Sequence, residues 1–373
     1  MVGTVFLDLS AAFDLLDHEL LINKLNSYGF ETSATEWIKS YLDNRSFTVL
    51  FNGSYSEKQK LCCGVPQGSC LGPLLFSIFM NDLPFVLKHA TIALYADDST
   101  IYMSGTNAHH LSQDLNDELR AVENWFNVNR LVINAEKTKC MMLGSSYLLK
   151  DSPVLNLSVS GSPIEQVSEA KLLGVVVDSK MTWNNQIKQI LGKMGRSMAM
   201  VRQCQKYMPG NIKKMIVESL VLSHLDYCAT IWSNTTESNL NKLQIAQNKA
   251  ARLALNCPFT TSITTMHHQL GWLSVRGRIK YLLINLIHNI IINKRPEILY
   301  SNLCFFSDVH QHSTRQSSES RFLLPSCRSG YGQGRVQYRA MVAWNSLPQY
   351  LVKQINTNNF SKRLRLFIFT QQR

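Results

Sequence analysis

No stretch of this chain is apolar for long enough to cross a bilayer. The best candidate, YLLINLIHNIIIN (281–293), is too short and too rich in Asn and His, and reads as a buried helix. No basic n-region opens the sequence and Asp8 interrupts its first apolar run, so no signal peptide is expected. The nine cysteines include no CxxC pair, which argues against a zinc ribbon, and their odd number argues against a disulfide framework. A reducing intracellular compartment is the expectation. Internal repeats are lacking too. Acidic residues are scarce in one half only. Residues 181–373 hold 6 Asp+Glu against 25 Lys+Arg, a net of +19, whereas residues 1–180 hold 20 against 13, a net of −7. So large an asymmetry favours a polyanionic partner for the second half, most simply nucleic acid, over a basic surface that is merely solvated.

With 373 residues and 45% apolar content, the chain has material for two or three packed domains. VFLDLS (5–10) reads as a buried strand and residues 18–28 as a helix. Ser33 and Glu36 have capping-box spacing for a second helix ending near Asn44. The Asn52-Gly53 pair turns a hairpin over 47–63. GVPQGSCLGP (64–73) is a loop that opens a helix, with Pro73 suited to the first turn. Leu111, Leu115, Leu119, Val122 and Phe126 recur at helical spacing, and KTKCMML (137–143) and AKLLGVVVD (170–178) read as strands. Beyond Asp178 helices dominate. Ile187, Ile190, Leu191, Met194, Met198 and Val201 mark one, and residues 211–232 and 237–256 two more. Strands interleaved with helices, then helices alone, indicate an α+β domain with an all-α appendage.

The stretch IALYADDSTIYM (92–103) poses the sharpest chemical question. Strand-favouring residues flank two adjacent carboxylates, Asp97 and Asp98, at a hairpin turn. A polar turn is the plain reading of that pair, because Asp tolerates turn geometry. An aspartyl-protease dyad fits less well, since neither Asp is followed by Thr/Ser-Gly. Asp8 alters the balance. If its strand and the hairpin are neighbours, three carboxylates converge at one sheet edge. At an effective dielectric near 20, two unit charges ~4 Å apart repel by about 4 kcal/mol, so such a cluster takes up protons or recruits cations. All-oxygen ligation suits Mg²⁺ or Mn²⁺ better than zinc. Two such ions can activate an attacking hydroxyl and stabilise a leaving oxygen in phosphoryl transfer.

The context of that turn resembles the reverse transcriptase family. LYADD (94–98) is similar to the family's Tyr-X-Asp-Asp metal-binding hairpin, FLDLSAAFD (6–14) to its first palm motif, and GVPQGSCLGPLLFSIFMNDL (64–83) to its nucleotide- and template-contacting motif. LVINAEKTK (131–139) and KLLGV (171–175) stand where the two later palm motifs fall. A lone YADD would be weak, but this order and spacing is specific. HLDYCATIW (224–232), LNKLQIAQNKAARL (240–253) and AWNSLPQYL (343–351) resemble downstream stretches of non-LTR (LINE-type) retrotransposon polymerases, in their CR1/L2/Rex-like branch. A group II intron maturase or telomerase-like enzyme would share the YADD hairpin but not these stretches.

The resemblance implies an RNA-directed DNA polymerase with a palm, an antiparallel sheet backed by helices, followed by a mostly α-helical thumb and a C-terminal extension. Asp8, Asp97 and Asp98 would hold two Mg²⁺ (or Mn²⁺) ions, Asp8 bridging them. Asp14 and Asp17 read instead as helix-start or surface carboxylates. Phe13 falls where the family places an aromatic beneath the sugar, favouring deoxynucleotides, although a core Phe is an equal reading. Pro66, Gln67 and Gly68 would contact nucleotide or template, glycine permitting close backbone approach and Gln67 both donating and accepting. A lysine should protonate the departing pyrophosphate; Lys137 is the first choice by its place in the motif and Lys139 the second. Lys242, Lys249 and Arg252 fall within about 80° of one another on a helix. Such a stripe would contact the phosphates of an RNA–DNA duplex, or else form a solvated face. Cys304, His310, His312 and Cys327 fit no zinc spacing and read as incidental.

These readings give a palm over 1–178, a thumb-like domain over 179–258 and an extension over 259–373, with a loose connector near 307–335. The sequence opens a few residues before the first palm motif, so no fingers or endonuclease region is expected, and such a chain alone is expected to polymerise poorly. Partners would be an RNA template, a DNA primer and a dNTP, with no membrane, and copying into a genome would imply nuclear access. The alternative is a catalytically inactive nucleic-acid-binding remnant of a retroelement, which would bind RNA–DNA duplex without synthesis.

Overall fold

The computed structural model describes residues 1–372 except 152, 307–320, 328, 354 and 356–358. The chain divides into two compact units, Met1–Met181 and Thr182–Arg373.

The first unit begins with β1 (Val2–Leu7), β2 (Leu9–Ser10), α1 (His18–Ser27) and α2 (Thr32–Leu42). Two small ladders follow, β3 (Ser46–Phe47) with β6 (Gln59–Lys60) around β4 (Leu50–Phe51) with β5 (Ser54–Tyr55). Asn52 and Gly53, both at positive φ, turn the inner ladder as their type predicts. Next come α3 (Gly72–Phe79), β7 (Thr91–Tyr95), β8 (Asp98–Ser104), α4 (Ala108–Val128), β9 (Val132–Ile133) and β10 (Lys139–Leu143). Short strands close the unit: β11 (Ser158–Val159), β12 (Ser162–Pro163), β13 (Glu165–Gln166), β14 (Glu169–Leu172) and β15 (Val175–Asp178).

The main sheet runs β13-β10-β1-β8-β7. β1 lies at its centre, antiparallel to both neighbours, and only the β10–β13 edge pair is parallel. Alternation along β1 buries Val5 and Leu7 on one face beside Ile101 of β8 and Cys140 of β10. That face meets α4, whose Leu111, Leu115, Leu119, Val122 and Phe126 are all buried. Gly3 sits beneath α4: a Cβ there would stand 2.6 Å from Leu115 and 3.2 Å from Leu111. Buried Glu118 of α4 accepts hydrogen bonds from the backbone N–H groups of Lys88, His89 and Ala90. The carboxylate thereby anchors the segment leading into β7.

The second unit is helical. α5 (Asn184–Cys204), α6 (Gly210–Val217), α7 (Ser223–Asp226), α8 (Ala229–Trp232), α9 (Glu237–Leu255), α10 (Ile263–Leu270), α11 (Val275–Asn293) and α12 (Glu297–Tyr300) precede the C-terminal helices Val336–Asn345 and Phe360–Thr370. Leu283, Ile284, Ile287 and Ile290 of α11 pack into one core with Trp344, Phe360 and Leu364. Among the described residues, no helix is long and apolar enough to cross a membrane. All nine cysteines are free.

Several elements differ from the sequence expectation. No capping box forms at α2: the helix starts at Thr32, after Glu31, with Ser33 inside it and no side-chain cap. The strand expected from Lys137 starts at Lys139, because Asn134 holds the N–H groups of Lys137 and Thr138 in a turn. Residues 170–178 form a hairpin, β14 and β15, turned by Leu173 and Gly174 at positive φ. Instead of one helix over 211–232, a π turn at Glu218–Leu222 is followed by a break at Cys228, φ +51°. Of the expected connector near 307–335, residues 307–320 and 328 lie outside the described residues, as do His310 and His312, and Gly330–Gly334 is a short helix.

Candidate active site

The register of the central sheet determines which side chains meet. β1 and β8 pair antiparallel with Phe6 opposite Thr100 and Leu7 opposite Ser99. One step further brings Asp8, just past the end of β1, to the level of Asp98. Residues directly opposite share a face, with Cβ atoms about 4.5–5.5 Å apart. Leu7 points into the core, so Asp8 points out of it. The β7–β8 turn consists of Ala96 and Asp97, closed by pairing of Tyr95 with Asp98. Ala96 adopts φ +52°, a conformation that costs a non-glycine residue on the order of 1–3 kcal/mol and that tends to persist at functional sites.

The electrostatics reflect this convergence. The Asp98 carboxyl is pushed above the usual carboxylate range, first by burial, then by the negative charges of Asp97 and Asp8. Lys137 Nζ lies 4.0 Å from Asp8 Oδ2. Lys139 points elsewhere, bonding the Glu136 carbonyl and the Glu165 carboxylate at 2.8 and 2.6 Å. Among the described residues, no three Asp, Glu, His or Cys side chains are already drawn together as a metal-binding group. The donors facing the turn are oxygens, and an all-carboxylate set fits a hard divalent cation.

Two residues that the sequence did not single out hold Asp8 in place. Its N–H donates to the Thr138 hydroxyl at 3.2 Å, and its carbonyl accepts from the Asn134 N–H at 2.8 Å. Thr138 is fully buried. No local sequence signal marks a bond spanning 130 residues.

The loop after β6 lies along the turn that follows β2. Gly64 donates to the Leu16 carbonyl and Val65 to that of Phe13, at 2.7 and 2.8 Å. A Cβ on Gly64 would meet the Asp14 carbonyl oxygen at 2.7 Å, so only glycine fits. The Gln67 amide donates to both Asp14 carboxylate oxygens, at 2.9 and 3.1 Å. Asp14 is thus a surface carboxylate with a specific partner, while Asp17 caps α1 by accepting from the Leu20 N–H and pairs with Arg130. Pro66 accepts from the Ser69 N–H at 3.3 Å, and Gly68 has φ +79° with open space where a Cβ would stand. Phe13 is half-buried, stacked on Phe76 of α3 with ring centroids 4.8 Å apart.

In the second unit, Lys242 and Lys249 project from α9 as exposed side chains. Arg252 is half-buried and turns its guanidinium onto the Phe259 ring, 4.6 Å from the centroid. The stripe therefore comprises two solvent-facing lysines and one arginine engaged with an aromatic.

Residues 2–177 match the family described as reverse transcriptase (RNA-dependent DNA polymerase). A probable RNA-directed DNA polymerase from transposon BS of Drosophila melanogaster is 31% identical, the match covering 74% of this chain and 31% of that protein. The RNA-directed DNA polymerase from mobile element jockey of the same organism is 29% identical, covering 68% and 28%. The chain thus spans about three-tenths of the length of these curated relatives. Among solved structures, apo telomerase from Candida tropicalis aligns at 12% identity and a TM-score of 0.38, over 81% of this chain and 52% of that one.

Proposed function

We propose that this chain, whose residues 2–177 match the reverse transcriptase family, carries the catalytic centre of a retrotransposon's RNA-directed DNA polymerase. Its relatives are polymerases of Drosophila non-LTR elements, including jockey and X-element. The reaction is attack of a primer 3′-hydroxyl on the α-phosphate of a dNTP, directed by an RNA template, with release of pyrophosphate. The observation that carries this reading is the antiparallel β1–β8 register, which brings Asp8 to the Asp97–Asp98 turn.

Reverse transcriptases use divalent metal ions, and the finer reading is two Mg²⁺ or Mn²⁺ ions held by Asp8, Asp97 and Asp98. When bound, such ions stabilise the charge that develops on the attacking and leaving oxygens. Support comes from the raised Asp98 carboxyl, which burial first and then the charges of Asp97 and Asp8 make costly to ionise. Thr138 and Asn134 keep the Asp8 backbone from drifting, and small misplacements of such groups cost orders of magnitude in rate. Lys137, close to Asp8, donates a proton toward the departing pyrophosphate. Pro66, Gln67 and Gly68 contact nucleotide or template, Gln67 positioned by Asp14 and Gly68 leaving open space for close approach. Phe13, stacked on Phe76, lies beneath the sugar and disfavours a 2′-hydroxyl. Lys242 and Lys249 contact phosphates of the primer–template without reading sequence.

Primer extension on an RNA template with Mg²⁺ or Mn²⁺ tests the reading. Whatever incorporation the wild-type chain supports should vanish in the Asp97→Ala/Asp98→Ala variant. Incorporation that survives in that variant contradicts it.

A further inference from the structure

The helical unit contains a cleft of about 740 Å³ between the C-terminal ends of α5 and α9. Arg202 and Gln205 reach it from the end of α5, and Lys249, Arg252, Asn256 and Phe259 from α9 and the segment after it. No carboxylate lines it. Among the described residues, none of its three cations makes an ion pair. Asn256, at φ +52°, ends α9 in a left-handed cap and reverses the chain, which returns Phe259 over Arg252. The Phe259 ring has the guanidinium on one side and remains 81% exposed. Arg252 Nε is buried without a hydrogen-bond partner.

We infer that this cleft binds single-stranded nucleic acid, stacking an unpaired base on the open face of Phe259 and holding the adjacent phosphate with Arg202, Lys249 and Arg252. The inference rests on the nucleic-acid-binding part of the reading above and adds the class of strand. Three unpaired cations in a cleft without acids select for phosphate. An exposed aromatic face selects for a base freed from its stack, because a duplex keeps its bases paired and offers only its backbone here. Arg252 serves both parts, placing its guanidinium against Phe259 and its positive charge in the cleft.

The test is fluorescence anisotropy with the full chain and two probes, an unstructured RNA strand of about 12 nucleotides and an RNA–DNA duplex of the same length. Phe259→Ala should weaken binding of the single strand roughly ten- to hundredfold and leave the duplex unaffected. Phe259→Trp should retain strand affinity, with its indole emission quenched on binding. A Phe259→Ala variant that binds both probes like the wild type, or loses both equally, overturns the inference. Displacement of the strand by polyglutamate as efficiently as by unlabelled RNA also overturns it, since it would mark a site selective for charge alone. Phe259→Ala leaves Asp8, Asp97 and Asp98 intact, so failure here with normal duplex binding spares the polymerase reading. Wild-type chain that binds neither probe overturns the nucleic-acid reading itself.

Discussion

Asp8 and Asp98 stand at the same level of two hydrogen-bonded strands, one residue beyond the Leu7–Ser99 pair. That single step of register has chemical consequences. A slip by one residue would turn Asp8 into the core and Leu7 onto the open face. The buried row of Val5 and Leu7 beneath α4 prevents that slip. Packing on one side of the sheet thus places charge on the other.

Thr138 is the first test of how that placement is maintained. Its buried hydroxyl accepts the Asp8 N–H, so Thr138→Val leaves a donor unpaired and should cost about 1–3 kcal/mol in urea unfolding. Mn²⁺ affinity should fall roughly tenfold or more, as is usual when the support of a ligand is removed. Thr138→Ser keeps the hydroxyl and should recover most of both. Equal losses in the Ser and Val variants would refute the role given to the hydroxyl.

The second prediction concerns pH. Burial holds the His267 imidazole below the usual histidine range, with the Arg278 charge acting in the same direction and the hydrogen bond at Trp272 opposing it. In the folded chain the ring stays neutral at a pH where the unfolded chain protonates it. Its stabilising contribution is therefore complete above the ordinary histidine value of 6.5 and is lost as pH falls from there toward the lower folded value. Unfolding midpoints at pH 7.5 and 5.5 should differ more for wild type than for His267→Gln. His224 is shifted in the same direction, so the variant flattens the slope without abolishing it.

Arg339 supports a third prediction. Burial pushes its guanidinium down to about 10. It donates to Ser233 Oγ at 2.5 Å and to the carbonyls of Thr230, Ile231 and Gly334. α8 ends at Trp232, so the carbonyls of its last turn have no partner within the helix, and Arg339 takes two of them. Arg339→Met should destabilise the chain by about 1–3 kcal/mol in thermal unfolding. Arg339→Lys should rescue little, because one ammonium cannot reproduce the planar fork. Full rescue by Lys would contradict this account.

The Arg339 clamp also illustrates what could be read from sequence. Apolar and strand-favouring runs marked β1 and the β7–β8 hairpin, and helical spacing marked α4, because each of these signals is local. Asn52-Gly53 specified its turn by the same local logic. The grip of Arg339 on the end of α8 was not legible, since the two lie more than a hundred residues apart. The grip of Thr138 on Asp8 and of Gln67 on Asp14 was hidden for the same reason. Helical spacing placed Arg252 on a stripe with Lys249, yet could not foresee that Phe259 would fold back over it. Patterns within an element were visible; partners chosen between elements were not.

The central claim is that the carboxylates of Asp8 and of the Asp97–Asp98 turn hold divalent ions together. Titration of the chain with Mn²⁺, followed by electron paramagnetic resonance, tests it most directly. The account predicts that Asp8→Asn and Asp97→Asn/Asp98→Asn each weaken Mn²⁺ binding by more than about tenfold, while Lys137→Ala, which removes a neighbouring positive charge, does not weaken it. Mn²⁺ bound equally well by the wild type and by both carboxylate variants would contradict it.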